Sequence, residues 1–178
     1  MSNVTVLRLG HRLHRDDRLS THVGLTARAL GADEVIYTDD KDDAMLASVR
    51  EVADKWGGSF KVSYVEDWKE PIKEAKKKKV KIVHLTMYGE PLRKKISAIR
   101  KGKNLMIAVG GAKVPGQMYI AADYNVAVGS QPHSEVAALA VLLHEYFKGK
   151  ELEKKFPKAK LKIEPQASGK KVIAEDRN

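Results

Sequence analysis

Apolar residues along this chain come alternately in short bursts and in longer helical patterns, and the alternation persists almost from end to end. Residues 4–9 (VTVLRL), 34–37, 60–65, 80–85 (VKIVHL), 105–109 and 125–128 are bursts of strand length, bounded by polar residues or glycine. Between them, residues 21–30, 42–56, 69–79, 91–100 and 135–147 read as helices. In 42–56, Ala44, Leu46, Ala47, Val49, Val52, Ala53 and Trp56 recur at three- and four-residue spacing, and Gly57-Gly58 ends the run. Pro91 opens the fourth helix, and Ser134 caps the fifth with Glu135 in its first turn.

Strands alternating with helices predict an α/β fold, a mostly parallel sheet with helices on both faces. The alternation fails after Gly149. Residues 1–149 therefore read as one folded domain, and 150–178 as a basic C-terminal tail holding at most a short strand at 161–163.

Charge adds a partner to this picture. The formal net charge is +10 over 178 residues, which favours a polyanion such as nucleic acid. The basic runs at 76–79 and 148–155 are read as solvated faces by default, with RNA contact as the alternative. Cysteine is absent, which excludes disulfides and thiolate metal sites. Heavy lysine use without cysteine resembles the hyperthermophile pattern. No apolar run approaches the ~20 residues of a membrane span and no signal-peptide pattern opens the chain, so the expected location is the cytoplasm, with no membrane partner.

Four connecting segments could carry chemistry. In an open α/β sheet, ligands bind at the carboxyl ends of the strands. Residues 9–22 (LGHRLHRDDRLSTH) crowd His11, His14, His22, Arg12, Arg15, Arg18, Asp16 and Asp17 into one strand-to-helix connection. Arg18 or Arg15 can bind phosphate or lie against a hydroxyl, and Asp16 can orient one of the arginines. On the bland reading, Asp16 is a turn residue and Thr21 caps the helix. The three histidines lack the helical spacing of a zinc site, and no metal is expected.

Residues 85–92 (LTMYGEPL) leave one strand and turn at Gly89 towards a Pro-started helix. Residues 109–119 (VGGAKVPGQMY) bring a glycine pair that lets backbone approach a ligand, with Lys113 placed to reach phosphate. They do not match the Walker pattern, and no G-x-G-x-x-G follows the first strand, so a nicotinamide-dependent oxidoreductase is unsupported. The fourth segment is the turn at 129–133, where Gln131 and His133 could touch substrate before a helix whose N-terminus favours anions.

Three of these segments are long enough to carry a family resemblance. LRLGHRLHRDDRLSTH (7–22), GGAKVP (110–115) and NVAVGSQPHSEVAALA (125–140) resemble the motifs of the archaeal tRNA (cytidine(56)-2′-O)-methyltransferases, within the SPOUT superfamily of RNA methyltransferases. The match runs to about Gly149. The resemblance implies a sheet tied into a deep C-terminal trefoil knot. It also implies S-adenosyl-L-methionine held by three loops: Leu85, Thr86 and Met87; Gly110, Gly111, Ala112, Lys113 and Val114; and Val128, Gly129, Ser130, Gln131, Pro132, His133, Ser134 and Glu135. It further implies tRNA as substrate, with the ribose 2′-hydroxyl of a T-loop cytidine as acceptor. The last implication is a homodimer, in which the arginine motif of one subunit serves the knot of the other.

The chain departs from the wider superfamily of ribose methyltransferases. Ala112 and Lys113 stand where a glutamate is usual, Gln131 and His133 where serine and asparagine are usual, and Leu25 where a helix carries an arginine. The catalytic candidates are therefore Arg18 and Arg15, oriented by Asp16, with His133 as a secondary base. Two rivals remain: a non-catalytic basic RNA-binding protein, and a methyltransferase of the same superfamily acting on a base nitrogen.

Overall fold

The computed structural model describes residues 3–111 and 113–174. Six strands form one sheet: β1 (Asn3–His11), β2 (Glu34–Asp39), β3 (Lys61–Tyr64), β4 (Lys81–Pro91), β5 (Asn104–Gly110) and β6 (Tyr124–Ala127). Their order is β3-β2-β1-β5-β4-β6, and every pairing is parallel. The mostly parallel α/β sheet expected from the alternation is what forms.

Apolar side chains alternate between the two faces of the sheet. Val4, Val6, Val83 and Ile107 face a core built with α1 (Asp17–Ala29), α2 (Asp43–Trp56), α4 (Leu92–Ile99) and α6 (Glu135–Phe147). Leu7, Leu9, Ile82 and Met106 face a second core closed by α3 (Lys69–Lys77) and α5 (Gly116–Ala121). Burial on both faces explains why the central strands read as continuous apolar runs rather than alternating ones.

Three local details position the site. First, α1 starts one turn earlier than expected, so Thr21 lies inside the helix and not at its cap. Asp16 stands at the N-cap, but its carboxylate accepts no cap bond. It instead takes the fork of Arg12, at 2.9 and 3.1 Å from Nε and Nη2. Ser134 does cap α6 as expected, accepting from the Val136 N–H at 3.2 Å.

Second, β4 runs on through Gly89 to Pro91, where the sequence had indicated a turn. Val126 of β6 pairs with Leu85 and again with Glu90, so residues 86–89 bulge out of the ladder. Gly89 passes so close to β6 that an added Cβ would lie 2.5 Å from the Val126 N and 2.6 Å from the Asn125 carbonyl carbon. Third, residues 116–121 form the short helix α5, where the sequence had shown only a glycine-rich loop.

Residues 150–174 hold a short 3-10 turn and an antiparallel hairpin, β7 (Leu161–Ile163) with β8 (Val172–Ala174). This segment lies against the α1–α2 side. Arg28 stacks 4.5 Å over Phe156 while donating to the Gly57 carbonyl, and Gly58 N–H donates to Pro157.

Candidate active site

At the carboxyl ends of β4, β5 and β6 the structure encloses a cavity of about 380 Å³. That is the size expected for a small-molecule pocket, ~300–1,000 Å³. Its walls come from segments far apart in sequence: the β4 bulge, the glycine pair after β5, and the turn that leads into α6. Among the residues expected from sequence, it is lined by Leu85, Thr86, Met87, Gly110, Gly111, Val114, Val128, Pro132, His133, Ser134 and Glu135. Lys113, Gly129, Ser130 and Gln131 lie in the same loops without lining the cavity. Ala112 lies outside the described residues.

The polar groups of the cavity are individually held. The His133 Nδ1 lies 2.6 Å from the Gln131 carbonyl oxygen. A carbonyl can only accept, so Nδ1 carries the proton of that bond and Nε2 is the ring nitrogen it leaves unengaged. Glu135 brings a carboxylate in the first turn of α6, beside backbone N–H groups that favour an anion. Thr86 Oγ1 and the Tyr119 hydroxyl lie 3.1 Å apart.

Sequence reasoning missed two buried polar residues at this site. His84, on β4, is fully buried and lines the cavity. Arg8, on β1, is also fully buried; its Nη1 donates to the Leu9 carbonyl at 3.0 Å and its Nε to Ser20 Oγ at 3.4 Å. Arg8 Nη2 has no partner among the described residues. Both terminal nitrogens lie 3.9 Å from where a Cβ on Gly111 would stand, and Glu135 Oε1 lies 3.8 Å from the same point. Arg8 and Glu135 thus flank Gly111. Burial pushes the Arg8 pKa down, and the carboxylates of Glu135 and Asp16 oppose that shift. The signal was available: a charge in the middle of an apolar strand is costly unless it has a use.

The arginine-rich connection behaves differently. Arg15 and Arg18 are exposed and do not line the cavity. Asp16 is buried and orients Arg12, not Arg15 or Arg18, and the Arg12 guanidinium holds its carboxyl below the usual range. His11 is buried, with Nδ1 2.8 Å from Ser20 Oγ and Nε2 3.6 Å from Asp42. Among the described residues no group of three or more His, Asp or Glu side chains is arranged to hold a metal ion.

A family model described as "tRNA ribose 2′-O-methyltransferase, aTrm56" matches residues 56–173. The tRNA (cytidine(56)-2′-O)-methyltransferase of Thermococcus kodakarensis is 51% identical over 174 residues, covering 96% of each chain. The enzyme of the same name from Methanocaldococcus jannaschii is 50% identical over 178 residues, covering 98% of each. The chain belongs to the aTrm56 family of tRNA ribose 2′-O-methyltransferases.

Solved structures place the aTrm56 chain in a wider fold. It is similar to the SpoU methyltransferase AviRb from Streptomyces viridochromogenes in complex with the cofactor AdoMet, with a TM-score of 0.62 at 13% identity, over 84% of this chain and 59% of that one. It is also similar to the TrmH/SpoU tRNA modifying enzyme of A. aeolicus, with a TM-score of 0.61 at 14% identity, over 85% and 76%. At such identities the likeness concerns the fold alone, and it is the SPOUT methyltransferase fold.

Proposed function

We propose that this chain transfers a methyl group from S-adenosyl-L-methionine to the ribose 2′-hydroxyl of the T-loop cytidine at position 56 of tRNA. The observation that carries the reading is the convergence of three motif-bearing loops on one cavity, in a chain about half identical to enzymes of that name. The residues fit the cofactor. Leu85, Val109, Val114, Val128 and Ala138 offer apolar walls for a nucleoside, Glu135 suits an ammonium, and the N-terminus of α6 suits a carboxylate. Bound there, the cofactor would supply an electrophilic methyl on a sulfonium.

The protein's own share is alignment and charge. A neutral 2′-hydroxyl is a poor nucleophile, so a cation near the forming alkoxide and an acceptor for its proton both help. Arg18, or Arg15, supplies the cation; arginine is too basic to take the proton, so its role is electrostatic. His133, which lines the cavity, offers Nε2 as an acceptor for that proton. Holding two reactants in line supplies much of the remaining rate.

A homodimer belongs to the same proposal. Arg15 and Arg18 are exposed away from the cavity lining, as they would be if they served the cavity of a second copy. Exposed Tyr88, Ile120 and Val141 offer that copy an apolar surface. The trefoil knot is a further part of the reading, supported by membership of the family and by the likeness to methyltransferases of the same fold. No helix among the described residues is long and apolar enough to cross a membrane, and the cytoplasm, where tRNA is found, is the compartment proposed.

The deciding experiment incubates the protein with unmodified tRNA and S-adenosylmethionine, digests the product and locates the methyl by mass spectrometry. A methyl on the cytidine ribose is expected. A methyl on a base nitrogen would favour the superfamily alternative. tRNA binding with no calorimetric response to the cofactor would favour a non-catalytic RNA-binding protein.

A further inference from the structure

One buried acceptor, on a residue that lines the cavity, has its tautomer fixed by its neighbours. Asn125 pairs with His84 across the β4–β6 ladder. Its Nδ2 donates to the Tyr119 carbonyl at 2.8 Å, which orients the amide. Its Oδ1 therefore faces His84 Nδ1, 2.9 Å away, and can only accept. The proton must sit on Nδ1, and His84 Nε2 is left with a bare lone pair. That nitrogen is fully buried and has no partner among the described residues.

An orphaned buried acceptor costs stability unless something satisfies it. His84 lines the cavity, and the Tyr119 ring stands edge-on to the imidazole at 4.7 Å between centroids. Burial lowers the His84 pKa and the bond to Asn125 only partly offsets this, so the ring stays neutral. The missing partner is therefore a hydrogen-bond donor. A charged ammonium would sit better against the Glu135 carboxylate. The two partners of His84, Tyr119 and Asn125, are uncharged and suit a neutral N–H or O–H.

We propose that His84 is a specificity-determining contact of the cavity, with Nε2 accepting a hydrogen bond from a neutral N–H or O–H of the cofactor's nucleoside. This rests on the S-adenosylmethionine reading and goes beyond it by naming the atom that discriminates. Asn125 and Tyr119 act through His84, as the pair that sets its tautomer. A nucleoside lacking that donor would leave Nε2 unsatisfied and be rejected, which is how a polar pocket discriminates more sharply than an apolar one.

Calorimetry with S-adenosylhomocysteine tests the contact on the full chain. His84→Phe keeps the aromatic volume and loses the acceptor, and is expected to weaken binding about 10-fold, the size of one neutral hydrogen bond. His84→Gln places an amide oxygen near the lost nitrogen and should recover most of that loss. Imidazole nitrogen NMR on the parent protein keeps the test independent of how the variants fold. In the free protein Nδ1 should read as protonated and Nε2 as a bare lone pair, and Nε2 should move upfield when S-adenosylhomocysteine saturates the site. Parent and His84→Phe binding equally well, or an Nε2 signal unmoved by ligand, overturns the contact alone. A parent protein that binds neither S-adenosylhomocysteine nor S-adenosylmethionine overturns the cofactor reading, and the contact with it.

Discussion

Arg8 and Arg18 stand ten positions apart in one strand–loop–helix unit, yet they occupy opposite physical situations. Arg8 of β1 is sealed beside Gly111, tied to Ser20 Oγ and the Leu9 carbonyl, with Nη2 unpartnered among the described residues. Arg18 projects from the first turn of α1 into solvent. A buried cation is already oriented, and its burial cost is met by the fold. An exposed arginine keeps its rotamer freedom until a partner takes it away, and in water its field is screened. The cavity lining is thus drawn from one chain, whereas on the proposed reading the arginine loop is ordered by what binds it, be that tRNA or a second copy.

The sharpest way to break this comparison is Arg18→Ala. Methyl transfer should fall ~100-fold or more, the scale of removing one preorganised charge contact at a reacting oxygen. Calorimetric affinity for S-adenosylmethionine should stay within about 3-fold, since Arg18 does not line the cavity. Unchanged turnover would remove it from the mechanism. A mixing experiment sharpens the same point. In Gly111→Phe the added Cβ meets nothing closer than 3.8 Å, and the ring is expected to block the cavity that Gly111 lines. If sites are shared between copies, mixing this inactive variant with inactive Arg18→Ala should restore about one quarter of parent activity, because half the dimers carry one intact site. No recovery would return both halves of the site to one chain.

Next in size is Gly89→Ala. Its Cβ would press on the backbone of Asn125 and Val126, which cannot step aside, so urea unfolding should show a loss of ~1–3 kcal/mol. Arg8 comes after it. Arg8→Met roughly keeps the volume and removes a buried charge that makes no direct ion pair among the described residues, so stability should change by under ~1.5 kcal/mol, while Arg8→Ala adds a cavity and should cost ~2 kcal/mol more. Equal effects of the two would mean that the guanidinium bonds, rather than packing, hold the strand.

The smallest effects separate the two regions by pH. His84 has its folded pKa lowered below the usual 6.5 by burial, so the unfolded chain takes up a proton first and stability should decline as pH drops below about 6.5. Asp16, in the loop, has its folded pKa lowered from 3.8 by the bond from Arg12, so its contribution is complete above about pH 4 and lost only as pH falls further. Denaturation curves across pH should show His84→Gln flattening the upper limb and Asp16→Asn the lower one. Any other pairing of variant and limb would reassign the groups.

Much of the site was legible because its motifs are continuous: the glycine pair at 110–111 and the turn into α6 each announce themselves as backbone that can approach a ligand. Arg8 and His84 were legible only as anomalies, polar residues inside VTVLRL and VKIVHL, since nothing local says which way a strand residue points or what lies beyond it. The β4 bulge was read as a turn because Gly89 and Pro91 suit a turn equally well. What kept that segment in the sheet is pairing with β6, some 35 positions later. Helix α5 was hidden because six residues show too little periodicity.

The sequence by itself determined the alternation of strands and helices, the two-faced parallel sheet and the loops that meet ligands, because burial period and turn chemistry are local properties of the chain. Only the tertiary structure decided that Asp16 holds Arg12, that Arg8 and Glu135 flank Gly111, and that Asn125 fixes the proton on His84. Those are distances between residues far apart in the chain, set by strand order and register, and no local pattern encodes them.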